Sequence, residues 1–153
     1  MTTLVHIEKI GIESLDTAFY LLQRFFSEEG FDTPAEKMRS SLSTMLTSRG
    51  SALFLARRGE EAVGIATVTT SVGIEYALAA ELEDLYVLPH ARGSGVASGL
   101  IETVCAWCRE QGCSTVLVTV TPEGEVAHRL KDFYQQRGFA NTHRVILERR
   151  LLA

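Results

Sequence analysis

The chain has 153 residues, a net charge of −4, and 46% hydrophobic and 22% charged residues, which fits one globular domain with a sizeable core and leaves no room for two of ordinary size. The excess of acid over base argues against nucleic acid or an anionic membrane as partner and suits a cationic substrate. No apolar run approaches the roughly 18–20 residues of a membrane span, and MTTLVHIEKI lacks the basic flank and apolar stretch of a secretory signal, so a cytoplasmic protein is expected.

Leu4–Ile10 alternates apolar and polar residues and reads as a strand. SLDTAFYLLQRFFSEEG follows, with Leu15, Phe19, Leu22, Phe25 and Phe26 at helical spacing and Gly30 as its C-cap. Thr33 as N-cap and Pro34 at the first helical position open a second helix through Met38, Leu42, Met45 and Leu46, ended by Gly50. SALFLARR, a GEE turn and AVGIATVTTS read as two antiparallel strands. A looser stretch, VGIEYALAA, leads into the strand ELEDLYVL.

A third helix is expected from about Ser94 to Gln111, with Val96, Leu100, Val104 and Cys108 along one face. STVLVTV is a β-branched strand, EVAHRLKDFYQQRG a fourth helix capped by Gly138, and RVILERRLL a closing strand. The order β-α-α-β-β-β-α-β-α-β predicts a mixed α/β sheet with helices on both faces. Cys105, Cys108 and Cys113 crowd one region, but no second pair and no suitably spaced histidine accompanies them. They read as small buried or half-buried thiols in a reducing compartment, and no metal is expected.

From the fourth strand of this order into the third helix runs LEDLYVLPHARGSGVASGL, where Gly93 and Gly95 sit in a strand-to-helix turn. A dinucleotide fingerprint fits poorly. Ser98 stands at the third glycine position, Pro89 and His90 lengthen the approach, and the turn comes more than halfway along the chain. A P-loop fails because the turn holds no lysine. A helix N-terminus that cradles a phosphate by its backbone N–H groups fits: glycine lets the backbone approach closely, and Arg92 adds positive charge. A Gly-rich turn without a ligand is the remaining reading.

VLPHARGSGVASGLIE resembles the acyl-CoA pyrophosphate loop of the GNAT superfamily of N-acetyltransferases, whose pattern is Arg/Gln-x-x-Gly-x-Gly/Ala, with Arg92, Gly95 and Ala97 at those positions. FYQQRGF, Phe133–Phe139, resembles the family's second signature, an aromatic-Tyr pair followed closely by Gly-Phe. The two motifs stand in family order, and the element order covers essentially the whole chain. The resemblance implies a single acyl-CoA N-acyltransferase domain over residues 1–153, with a mostly antiparallel sheet of six to seven strands splayed in the middle.

The resemblance further implies acetyl-CoA as co-substrate, its pyrophosphate on Arg92, Gly93, Ser94, Gly95, Val96 and Ala97. Its thioester carbonyl would meet a backbone N–H near Tyr86 or Val87. Tyr134 matches the usual general acid, which protonates the departing thiolate. An attacking amine needs a base, directly or through water, and Glu83 is the first choice and Asp84 the second. Strand alternation places Glu81, Glu83, Leu85 and Val87 on one face and Leu82, Asp84 and Tyr86 on the other. The second signature departs from the family pattern: Ala127 and Leu130 stand where Asn and Ala are usual, leaving Thr121 or His128 as candidates for the missing Asn contact.

FFSEEGFDTPAE places Glu28, Glu29, Asp32 and Glu36 beside Phe26 and Phe31, and Glu75 and Tyr76 precede the acidic strand. Carboxylates near aromatic rings suit a polycationic amine. Glu28, Glu29, Asp32, Glu75 and Glu83 are therefore candidate acceptor ligands. The chain is similar to the short aminoglycoside N-acetyltransferases of the superfamily, which implies direct attack in a ternary complex. A peptide, protein or polyamine acetyltransferase and a non-catalytic CoA-binding regulatory module are the alternatives. The apolar closing strand suggests a homodimer.

Overall fold

The computed structural model describes residues 4–152. Five strands lie in one sheet in chain order: β1 (Val5–Lys9), β2 (Ser51–Arg58), β3 (Glu61–Gly73), β4 (Ala77–Val87) and β5 (Thr115–Val118). The first three pairings are antiparallel and β4–β5 is parallel. The chain divides into two units, Met1–Thr119, which holds the sheet, and Val120–Ala153.

Residues 52–56 of β2 and residues 63–68 of β3 are buried without a break, as strands covered on both faces require. Helices α1 (Leu15–Glu29) and α2 (Ala35–Thr47) cover one face. There Leu21, Leu22, Met38 and Leu42 meet Leu53, Leu55, Ile65 and Tyr86. Helix α3 (Val96–Gln111) covers the other through Val96, Leu100, Ile101, Val104, Trp107 and Cys108. Its close approach depends on two glycines. A Cβ on Gly64 would stand 3.1 Å from Val96 Cγ1, and one on Gly99 would stand 2.9 Å from Ile7 Cδ1.

Several local expectations shift. Pro34, extended at φ −56° and ψ 139°, is the cap of α2 rather than its first helical residue, and its carbonyl accepts from Met38 N–H at 3.1 Å. The helix ends at Ser48, before Gly50. The looser stretch after the third strand is instead paired, because β3 and β4 form one long hairpin that runs to Gly73 opposite Ala77. Strand β5 pairs only with Ala79–Leu82. Past that point β4 has no strand neighbour on its β5 side among the described residues, which opens the sheet where a splay was expected.

In the second unit the predicted single helix is two, α4 (Pro122–His128) and α5 (Leu130–Gln135), broken at Arg129. Arg129 takes a left-handed backbone, φ 50°. The Thr121 hydroxyl oxygen accepts from Gly124 N–H at 3.0 Å and caps α4, with Pro122 in its first turn.

The predicted closing strand is absent among the described residues, so the sheet has five strands rather than six or seven. Val145, Ile146, Leu147, Leu151 and Leu152 are 70–90% exposed. Strand propensity describes a residue's fit to a pleated surface and does not supply the neighbour whose backbone would pair with it.

Candidate active site

Strand β4 carries three carboxylates, and a β-bulge decides where they point. Thr67 pairs with Asp84 and the next residue, Val68, with Leu82, so Glu83 is the extra residue. Ile65, Thr67 and Thr69 share the sheet face that α1 and α2 cover, and their partners Tyr86, Asp84 and Glu81 share it with them. The bulge turns Glu83 to the same side, where Thr69 Oγ1 donates to its Oε1 at 2.7 Å. Simple alternation placed Asp84 and Tyr86 opposite Glu81 and Glu83; the extra residue cancels that separation.

Each carboxylate is held by a threonine. Thr67 Oγ1 donates to Asp84 Oδ2 at 2.6 Å, and Thr119 Oγ1 to Glu81 Oε1 at 3.3 Å. Burial pushes the Asp84 carboxyl above the ordinary aspartate range; the Thr67 bond opposes that shift and the Glu83 charge adds to it. Glu81 is also raised, by burial and then by Glu83. Glu83 itself is exposed. One half-buried carboxylate whose pKa is raised thus stands beside one that faces solvent.

The end of β4 presents its backbone to the open edge. Leu88 N–H donates to Val63 carbonyl at 2.8 Å, so by strand alternation Tyr86 also bonds toward β3 while Val87 turns its N–H and carbonyl outward. Arg92 Nε donates to that Val87 carbonyl at 2.9 Å. Val87, rather than Tyr86, therefore offers an N–H at the open edge.

The turn into α3 is built on Gly93 and Gly95, both left-handed at φ 76° and 85°. Residues 92–95 are exposed, and a Cβ on either glycine would meet nothing within 4 Å. The first intrahelical bond runs from Gly99 N–H to Gly95 carbonyl at 3.0 Å, so the N–H groups of Val96 and Ala97 precede the helical ladder at its positive end. Ser94 Oγ donates to Ala91 carbonyl at 2.7 Å and accepts from Arg58 Nη2 at 2.9 Å. Open space, aligned N–H groups and a nearby guanidinium fit a diphosphate. Arg58, at the end of β2, gave no local sign of this placement.

Of the expected acceptor ligands, Glu28 is brought to β4. Its Oε1 accepts from Tyr86 hydroxyl at 2.5 Å and its Oε2 from Arg92 Nη2 at 2.9 Å. The Tyr86 bond, followed by Arg92, holds its carboxyl below the ordinary range, while burial and then Glu28 push Tyr86 up to about 12. Glu29 is half-buried on α1, Asp32 is exposed in the α1–α2 connection, and Glu75 is exposed at the hairpin tip, the opposite end of β4 from Val87. Sequence reasoning does not single out Thr67, Thr69 or Thr119; the alternating threonines of ATVTTS beside an acidic strand are the signal for the first two, and Thr119, near the end of STVLVTV, has none.

In the second unit Tyr134 on α5 is buried, its ring centroid 5.0 Å from Phe133 and 5.3 Å from Phe139. Burial pushes its hydroxyl up to about 12, against the pull of Arg137. It stays protonated at neutral pH, the form that donates. Cys108 is buried and its thiol is pushed up to about 12, chiefly by burial, as an inert core thiol would be. Among the described residues no three histidine, cysteine, aspartate or glutamate side chains gather as a metal site.

The model of the acetyltransferase (GNAT) family matches residues 15–139, which reach into both units. An aminoglycoside N(6')-acetyltransferase type 1 from Stenotrophomonas maltophilia is 33% identical over 120 residues, 75% of this chain and 74% of that protein. One from Acinetobacter baumannii is 30% identical over 88 residues; the match covers 54% of this chain and 58% of that relative's length. The fold matches, at TM-score 0.84 and 24% identity, a structure of AAC(6')-Iy in complex with the bisubstrate analogue CoA-S-monomethyl-acetylneamine, covering 97% of this chain and 99% of that one. The chain belongs to the GNAT family of acetyltransferases.

Proposed function

We propose that this chain is a single-domain, acetyl-CoA-dependent N-acetyltransferase that modifies a primary amine of a small polycationic acceptor, an aminoglycoside, by direct attack in a ternary complex. The observation that carries it is the bulge at Glu83. It sets a solvent-facing carboxylate and a half-buried one of raised pKa on the same face of β4, the strand that ends on an open edge and an anion-seating turn. Membership of the family and likeness to aminoglycoside acetyltransferases support the donor and the acceptor class.

Acetyl-CoA is the acetyl donor, seated by its diphosphate on the turn from Arg92 through Gly93, Ser94, Gly95 and Val96 to Ala97. Glu83 binds the acceptor's charge, with Glu29, Asp32 and Glu75 as outer candidates. Asp84 takes the proton from the attacking nitrogen, directly or through one water, because its raised pKa brings it nearer the amine's than an exposed aspartate would be. Val87 N–H stabilises the oxygen as it gains negative charge. Tyr134 gives a proton to the departing sulfur. No described helix is long and apolar enough to cross a membrane, and a cytoplasmic site of action is part of the proposal. So is a homodimer that covers the exposed apolar residues at 145–152.

Thiol release from acetyl-CoA across neamine, sisomicin, spermidine and a short peptide tests the acceptor. Release with neamine or sisomicin well above the others is expected, and release confined to the peptide or spermidine contradicts the proposal. The seat has its own test. Gly95→Trp forces a side chain into a left-handed position that faces open space. The Kd for CoA is expected to rise by at least about 100-fold, or 2.7 kcal/mol, while calorimetry still records one cooperative melt.

A further inference from the structure

Glu28 and Arg92 spend their opposite charges on each other. Arg92 lies with its Nε on the Val87 carbonyl at 2.9 Å and its Nη2 on Glu28 Oε2 at 2.9 Å, so one edge of the guanidinium is committed inward. Its Cζ stands 5.6 Å from the centre of the Tyr86 ring. Glu28 Oε1 accepts from the hydroxyl of that tyrosine, and Phe25, on the same helix as Glu28, stacks on it at 5.3 Å between centroids. The carboxylate is therefore already matched, with its side chain 35% exposed, and makes a poor ligand for an incoming ammonium group. What it does is tie the last turn of α1 to the residue that opens the diphosphate turn. Arg58, bonded to Ser94 Oγ, ties the same turn from β2. A turn built on two left-handed glycines has many conformations open to it, and bracing it before the ligand arrives removes an ordering cost from binding.

We propose that Glu28 is a positioning residue: through Arg92 it holds the diphosphate turn in its binding geometry, and so sets CoA affinity without touching CoA. This rests on the acetyl-CoA reading above and replaces the expectation that Glu28 binds the acceptor. Glu28→Gln keeps an oxygen for Tyr86 and removes the charge that holds Arg92. CoA is titrated by calorimetry into the wild type, Glu28→Gln, Arg92→Gln and the double variant, and the KM for neamine is read at saturating acetyl-CoA. Glu28→Gln is expected to raise the Kd for CoA about tenfold, as loss of a charge-assisted bond does, and Arg92→Gln, which also takes a positive charge from the turn, at least as much. The double variant is expected to be no weaker than Arg92→Gln alone, because Glu28 acts only through Arg92, with the neamine KM within about twofold of wild type. An unchanged Kd in Glu28→Gln overturns the proposal, as do losses that multiply in the double variant or a neamine KM that rises while Kd holds. Wild-type protein that binds no CoA would instead overturn the donor reading, which separates the two failures.

Discussion

Asp84→Asn is expected to lower kcat/KM for the amine by about 10²–10³-fold, the scale of a lost general base, and at the same time to raise Tm at pH 7 by a few degrees. The two effects have one cause. Burial, reinforced by Glu83, raises the Asp84 pKa in the folded protein. A group shifted upward stabilises the fold below its unfolded pKa, and that contribution is lost as pH rises through the folded value. At neutral pH the charged Asp84 therefore costs stability. Asparagine removes that cost and keeps an oxygen for Thr67, and the gain in Tm should vanish at acid pH, where the wild-type carboxyl is protonated. Glu83→Gln removes the neighbouring charge that raises Asp84, so the acid limb of the kcat/KM profile should move to lower pH. A Tm that falls at pH 7, or an acid limb that moves upward, would contradict this assignment.

Tyr134→Phe is expected to cut kcat by about 10²-fold or more, as removal of a proton donor does, and to leave the Kd for CoA within about twofold. The ring packing survives the change, since Phe133 and Phe139 stand edge-on to a ring that phenylalanine keeps. The alkaline limb of the kcat profile should lie high, because burial holds the Tyr134 hydroxyl near 12. A variant that keeps full turnover would place the donor elsewhere. A wild type that binds CoA but shows no turnover for Tyr134→Phe to remove would make the chain a CoA-binding regulatory module.

The turn at residues 92–97 and the FYQQRGF stretch were legible in the sequence because each is local. Each is set by residues a few positions apart on one turn or one helix. The carboxylate face was not legible. Alternation along LEDLYV is sound for an even strand, and the bulge that defeats it is set by the register of β3 against β4, with Thr67 on Asp84 and Val68 on Leu82. The pairing of Glu28 with Tyr86 and Arg92 was not legible for a related reason: those partners lie 58 and 64 residues away. The break at Arg129 was hidden by a helical pattern that runs unbroken through EVAHRLKDFYQQRG. RVILERRLL has the composition of a strand, but composition names no neighbour for it to pair with.

The most direct test of the account is the mass of neamine after incubation with acetyl-CoA and the wild-type protein, run beside Asp84→Asn. Transfer of one acetyl group to the amine is predicted for the wild type, with the variant forming far less of the same product in the same time. Neamine unchanged in mass at a protein concentration that binds CoA, or equal product from both proteins, would contradict it.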